Sequence, residues 1–221
     1  HAAGAPAATP AYCSATGAWT ASVGAGVRRP LGGALGGGAV ARRRSFGAFA
    51  VSGEALDTVC ASKATWPSWL RREMRSNWAG ETGAVAIYRG CQAALPRVES
   101  DDDRAALGAF AAEHVEAEVA HLRAISAVVT EASERSWMPA TSFGWCLGYA
   151  STAWRGARGM YVTTHAVESF VEEHYGDQIR RLEGELAAGA REPAAAYAAL
   201  LGLLRSACAD EVHHKDDAAR R

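Results

Sequence analysis

The feature that most constrains this chain is a doubled Glu-x-x-His spacing on helices whose inner faces are otherwise apolar. In the stretch ACADEVHHKDD, residues 207–217, Glu211 and His214 lie three residues apart. On a helix that spacing puts both on one face about one turn apart. The same face continues in Leu200, Leu203, Leu204 and Ala207. Upstream, AEHVEAEVAHL repeats the spacing with Glu118 and His121, again on a face carrying Leu107, Phe110, Ala111, Ile125 and Val128. A carboxylate and an imidazole on a core-facing stripe are costly to bury unless something binds them.

Two more carboxylates complete the pattern. Glu81 sits among small and apolar residues in AGETGAVAIY, on a helix expected over residues 69–94 with Trp78, Ala84, Val85 and Tyr88 on its face. Glu168 sits on a helix expected over residues 159–186, with Met160, Thr164, Val167, Val171, Tyr175 and Ile179 on the inner side. The two Glu-x-x-His helices are expected over about residues 104–131 and from Ala194 onward. Asp101–Asp103 suit a helix start, where negative charge complements the dipole. The chain thus repeats a Glu helix followed by a Glu-x-x-His helix, which predicts two helical hairpins related by a pseudo-two-fold. Four carboxylates bring about four negative charges and two divalent metals about four positive ones, so such a core is neutral overall. Oxygen ligands with one imidazole per metal suit iron or manganese. The candidate ligands are Glu81, Glu118, His121, Glu168, Glu211 and His214. Di-iron carboxylate proteins of the ferritin-like bundle use this ligand set.

The rest of the chain sets bounds. At 221 residues it is one domain, or one with an appendage, and a net charge of −1 gives no electrostatic case for nucleic acid as a partner. Five cysteines, with no C-x-x-C pair, fit reduced intracellular thiols better than a disulfide framework. Residues 1–53 contain no Asp or Glu, and five arginines cluster there. That composition is expected of a mitochondrial or plastid transit peptide, with a disordered low-complexity tail as the alternative. Residues 1–62 are therefore read as leader and 63–221 as the folded domain, with the chain expected to be a fragment at both ends. Residues 138–154, from Met138 to Trp154, are apolar and aromatic but too short and too rich in Ser, Thr and Gly for a membrane span. They are expected to form either a buried helix or one lying at a membrane surface or lining a substrate channel, with part of the Phe143, Trp145, Leu147 and Tyr149 surface exposed.

The blocks NWAGETGAVAIYRG, EAEVAHL, THAVESFVEEHYGDQI and ADEVHHKD, in order from about Leu70 to Asp217, resemble the demethoxyubiquinone hydroxylase family of ubiquinone biosynthesis. The resemblance implies an all-α fold, a ferritin-like antiparallel four-helix bundle with an additional apolar helix. It implies a di-iron monooxygenase that hydroxylates the ring of a demethoxyubiquinol-type polyprenyl quinol with O2. Two iron ions per chain, NADH as electron donor, a peripheral membrane surface, a quinone-biosynthesis partner protein and the matrix side of the mitochondrial inner membrane are implied with it. Glu118 and Glu211 would then bridge the irons, Glu81 with His121 completing one and Glu168 with His214 the other. Tyr175 and His174, one to two turns after Glu168, are candidates for hydrogen bonding behind the ligands or for electron transfer, with a core Tyr–His pair as the alternative. Asn77-Trp78 replaces the family's usual Asp-His. Two alternatives stand beside this reading. One is a ferritin-like iron oxidase or peroxide-scavenging protein, the other a non-catalytic lipid-binding relative.

Overall fold

The computed structural model describes residues 51–136, 139–191 and 193–221. Residues 1–50 of the expected leader, and Met138 at the start of the aromatic segment, lie outside the described residues. Five helices make up the described fold: α1 (Gly53–Ala61), α2 (Ser68–Ala94), α3 (Asp101–Val128), α4 (Ala140–Ala187) and α5 (Ala194–Ala219). Local chemistry sets their starts. Pro67, Pro139 and Pro193 immediately precede α2, α4 and α5, where a proline ring stops backward extension of the helix. Ser100 caps α3, its Oγ accepting from the Asp103 N–H at 3.2 Å, and three aspartates in the first turn complement the helix dipole.

Two apolar layers show how the helices run. One joins Leu70 and Met74 at the start of α2 to Val128 at the end of α3, Leu182 late in α4, and Tyr197 and Leu200 early in α5. The other joins Tyr88 and Cys91 late in α2 to Leu107 and Phe110 early in α3, Met160 in mid-α4, and Ala218 at the end of α5. Hence α2 is antiparallel to α3, and the later part of α4 is antiparallel to α5. These four form the bundle, and the six candidate ligands lie between its two apolar layers.

Because α3 ends at one layer and the bundle part of α4 begins at the other, the chain must travel the length of the bundle. Residues 140–155, the first arm of α4, make that crossover, as in ferritin-like folds. This arm is the additional apolar helix expected from the sequence. It runs parallel to α2 in backbone contact, and glycines make the approach sterically feasible. A Cβ on Gly144 would stand 2.3 Å from the Gly83 carbonyl oxygen, one on Gly148 1.9 Å from that of Ile87, and one on Gly90 2.1 Å from that of Trp145. At Gly156 the backbone turns out of the helix with φ 59° and ψ −147°, a region open essentially to glycine alone, and the second arm enters the bundle.

The arm is neither wholly buried nor wholly exposed. Ala140, Gly144, Gly148 and Thr152 face α2, while Phe143 is 69% and Trp154 85% exposed and Trp145 is 42% exposed. None of the described helices is long and apolar enough to cross a membrane. Packed structure also begins before Lys63. Residues 53–61, assigned to the leader on composition, form α1, whose Val59 is buried in the first apolar layer against α3 and α5. The acid-free composition ends at Gly53, and Leu56, Val59 and Cys60 give the short helix an apolar side that the leader composition masks.

Candidate metal centre

Each bundle helix carries its candidate ligands at the same depth, one carboxylate from α2 and from the second arm of α4, a Glu–His pair from α3 and from α5. All six side chains are buried, none more than 3% exposed. Their contacts have a definite pattern. Glu118 reaches both imidazoles, Oε1 lying 3.0 Å from His214 Nδ1 and Oε2 3.8 Å from His121 Nδ1. Glu211 does the same, with Oε1 3.2 Å from His121 Nδ1 and Oε2 3.2 Å from His214 Nδ1. Glu81 approaches only His121, at 3.7 Å. Two overlapping sets of donor atoms result, Glu81–Glu118–His121–Glu211 and Glu118–Glu168–Glu211–His214, the atoms in each lying within 4.8 Å of one another. The sets share Glu118 and Glu211.

The electrostatics of the six groups alone are unusual. Burial pushes the Glu81 and Glu168 carboxyls well above the usual carboxylate range, reinforced by the charge of Glu211. Burial would do the same to Glu118 and Glu211, but hydrogen bonds from the two imidazoles outweigh it and hold both below that range. The imidazoles respond in kind. Burial opposes their charge, yet the facing carboxylates hold His121 far above neutrality and raise His214 to about 10. Glu118 and Glu211 and the two imidazoles thus favour each other's charged forms, while burial favours the protonated forms of Glu81 and Glu168. The donor set fits a pair of divalent cations. Glu81 Oε2 is buried with no hydrogen-bond partner, and two such cations would balance the four carboxylates and leave the centre neutral.

Tyrosines support the outer carboxylates crosswise. Tyr175, on the Glu168 helix, donates its hydroxyl to Glu81 Oε1 at 2.5 Å, and Tyr88, on the Glu81 helix, donates to Glu168 Oε1 at 3.3 Å. Each tyrosine follows its own helix's glutamate by seven residues, about two turns, so the pseudo-two-fold extends beyond the ligands. Tyr175 is therefore at the centre, as the sequence suggested, but His174 is not. Its Nε2 pairs with Asn77 Oδ1 at 3.0 Å, half-buried toward the surface and stacked on Phe170. Asn77 is buried and exchanges two 2.9 Å hydrogen bonds with Gln178. The departure at Asn77 is thus a satisfied amide pair between α2 and α4.

Three residues at the centre carry no signal in the Glu-x-x-His spacing. Asp210 accepts a hydrogen bond from His121 Nε2 at 3.1 Å. His114 is fully buried, its ring 4.6 Å from that of His214, and burial lowers it to about 4, aided by the charge on His214. Tyr88 appeared in the sequence only as an apolar-face residue. The repeated seven-residue Glu–Tyr interval marks both tyrosines, whereas Asp210 and His114 belong to one half of the repeat only.

A family model described as ubiquinone biosynthesis protein COQ7 matches residues 68–221. The chain is 31% identical over 177 residues to a mitochondrial NADPH-dependent 3-demethoxyubiquinone 3-hydroxylase of Homo sapiens, covering 79% of this chain and 72% of that protein. It is 30% identical over 116 residues to a protein of the same name from Dictyostelium discoideum, covering 51% of this chain and 50% of that one. Both names specify NADPH where the resemblance implied NADH. No solved structure matches the chain.

Proposed function

Since this chain belongs to the ubiquinone biosynthesis protein COQ7 family, we propose that it is a ubiquinone-biosynthesis hydroxylase, an O2-dependent di-iron monooxygenase acting on the ring of a demethoxyubiquinol-type polyprenyl quinol. The observation that carries this reading is the buried constellation of four carboxylates and two imidazoles in two sets sharing Glu118 and Glu211. Glu118 and Glu211 would bridge two irons, Glu81 with His121 holding one and Glu168 with His214 the other. Bound there, the irons supply the redox chemistry that activates O2, with electrons from a reduced nicotinamide nucleotide.

The chain's own residues supply the rest. Tyr175 and Tyr88 each hold one oxygen of Glu81 and Glu168, which would leave the other oxygen of each to bind a metal. The apolar layers above and below the centre keep bulk water from it, so charges there interact in a low dielectric. A polyprenyl quinol resides in lipid, and the exposed Phe143, Trp154, Val162 and Phe170 of α4 give the protein an apolar surface for the membrane. Both relatives are named mitochondrial, and the arginine-rich, acid-free residues 1–53 suit an import signal that delivers the protein to the matrix side of the inner membrane.

Metal analysis of the purified chain tests the reading. Wild type is expected to hold about two irons per chain, and Glu118→Ala or Glu211→Ala to lose both, because each removes a ligand common to the two positions. Full iron occupancy in both variants would refute the bridging assignment. A two-iron wild type that leaves demethoxyubiquinol unchanged in the presence of O2 and reductant would refute the activity.

A further inference from the structure

A cavity of about 980 Å³ lies outside the metal centre, where α2 ends, α3 begins and α4 turns at Gly156. Arg155 and Arg158 flank that turn and line the cavity, with Arg97 from the turn after α2 and Arg221 from beyond α5. Arg221 is engaged, its Nε and Nη2 lying 3.2 and 3.1 Å from Asp217 Oδ2, and Arg97 lies over the Tyr149 ring. Arg155 and Arg158 are exposed and form no ion pair among the described residues. Their own helix offers them no partner, because α4 contains no Asp or Glu from Ala140 to Val167. The acids of the lining, Glu99 and Asp103, come from the loop before α3 and its first turn. The second arm of α4 starts beyond Gly156, so the positive end of its dipole falls at Ala157 and Arg158, which also line the cavity. This side of the cavity suits an anion, and the guanidinium fork matches the oxygens of a phosphate.

The lining continues into an apolar surface. Trp154 and Val162, 62% exposed, line the cavity and also belong to the exposed apolar residues of α4. Trp154 follows Phe143 by eleven residues, about three turns, and Phe170 follows Val162 by about two turns, so each pair shares a side of its arm. Unpaired arginines beside exposed aromatic and aliphatic side chains match a molecule with a phosphate at one end and apolar chains at the other. We propose that this cavity binds the phosphate of an anionic glycerophospholipid, Arg155 and Arg158 holding the headgroup while the acyl chains lie along Trp154 and Val162. A soluble phosphate ester has the same headgroup chemistry but leaves Trp154 and Val162 in water. The inference rests on the reading of α4 as the membrane face and adds a choice of lipid to it. A headgroup held beside Gly156 would fix the depth and rotation of α4 at the bilayer surface.

The test is sedimentation of the full chain with vesicles of phosphatidylcholine alone and of phosphatidylcholine mixed with phosphatidylglycerol. Wild type is expected to bind the mixed vesicles more tightly. Arg155→Gln combined with Arg158→Gln should lose about 25-fold on them, about 5-fold per arginine, with binding to phosphatidylcholine alone unchanged. Arg72→Gln combined with Arg123→Gln removes the same charge from exposed positions outside the cavity and should cost less than about 5-fold. Arg155→Lys combined with Arg158→Lys keeps the charge without the fork and should fall between wild type and the glutamine variant. It carries the comparison if the glutamine variant lowers the melting temperature. Equal binding of wild type to the two vesicles, or equal loss in the two glutamine variants, overturns the inference while the membrane face survives. Calorimetry that finds inorganic phosphate or NADPH bound by wild type and not by the Arg155→Gln, Arg158→Gln variant, with vesicle preference intact in that variant, assigns the cavity to a soluble phosphate and also overturns it. A wild type that binds neither vesicle refutes the membrane face itself, and the inference falls with it.

Discussion

Replacing Gly148 with alanine is expected to destabilise the protein, although alanine is the better helix former. The new Cβ would stand 1.9 Å from the Ile87 carbonyl oxygen and 2.7 Å from its carbon, whereas ordinary contact begins near 3.4 Å. Both atoms are backbone, so no side chain can swing aside, and the first arm of α4 must part from α2 by about 1.5 Å at that point. Such parting also loosens the contacts at Gly144 and Gly90, which depend on the same close approach. Overpacking of this kind costs about 1–3 kcal/mol, offset by about 1 kcal/mol of improved helix propensity. In a domain of this size the net loss, up to about 2 kcal/mol, lowers Tm by up to about 8 °C. Gly202 in α5 is the control, because a Cβ there meets nothing within 4 Å and only the propensity gain remains. Gly202→Ala should therefore raise Tm by about 2–4 °C. Thermal unfolding of both variants in chelator, followed by circular dichroism, gives the comparison. Equal stabilisation by the two substitutions would show that the arm and α2 are not in backbone contact.

Three further outcomes are expected. Metal binding should release protons, because burial raises the Glu81 and Glu168 carboxyls and the facing carboxylates raise His121 and His214. Affinity must then rise with pH, and calorimetry in buffers of different ionisation enthalpy that finds no proton release would contradict this balance. Buried Cys91, whose thiol burial raises to about 11, should resist iodoacetamide at pH 8 until the protein unfolds, while exposed Cys146 reacts. Peptide mass spectrometry showing equal labelling would place Cys91 at the surface. Replacing Phe143 and Trp154 with glutamate should lower binding to phospholipid vesicles and activity on a long-tailed quinol, and largely spare a short-tailed analogue. Equal loss on both substrates with vesicle binding intact would move the membrane contact elsewhere.

Much of the architecture was legible because the inner faces of the four bundle helices carry apolar residues at helical spacing. The helix expected over residues 69–94 forms over Ser68–Ala94, and the one expected over 104–131 forms over Asp101–Val128. The second begins earlier because Ser100 caps it and the three aspartates become its first turn. The six polar residues stood out because each interrupts an apolar stripe, and the fold draws all six together. Pairing across the sequence was not legible. Gly83, Gly90, Gly144 and Gly148 read individually as weak points in helices, and their role depends on two segments about sixty residues apart meeting backbone to backbone. The crosswise tyrosine bonds were likewise hidden, since Tyr175 serves the glutamate of α2 rather than the one on its own helix.

The same convergence explains why the centre depends on the fold. Any one of the six groups, brought into the apolar interior alone, would be an uncompensated buried charge or an unsatisfied acid. Together they reach neutrality only when all four helices arrive at one depth, with Glu118 and Glu211 spanning both imidazoles. The crossover arm makes that arrival possible. It returns the chain to the end of the bundle where the second hairpin must start, and the turn at Gly156 releases the second arm so that Glu168 lies level with Glu81. The flanking layers, with Leu70, Val128 and Leu200 on one side and Leu107, Phe110 and Met160 on the other, stabilise the bundle independently of the centre. Stability thus resides in the layers and reactivity between them. A change that removes one ligand is expected to disturb the charge balance of the remaining five before it disturbs the fold.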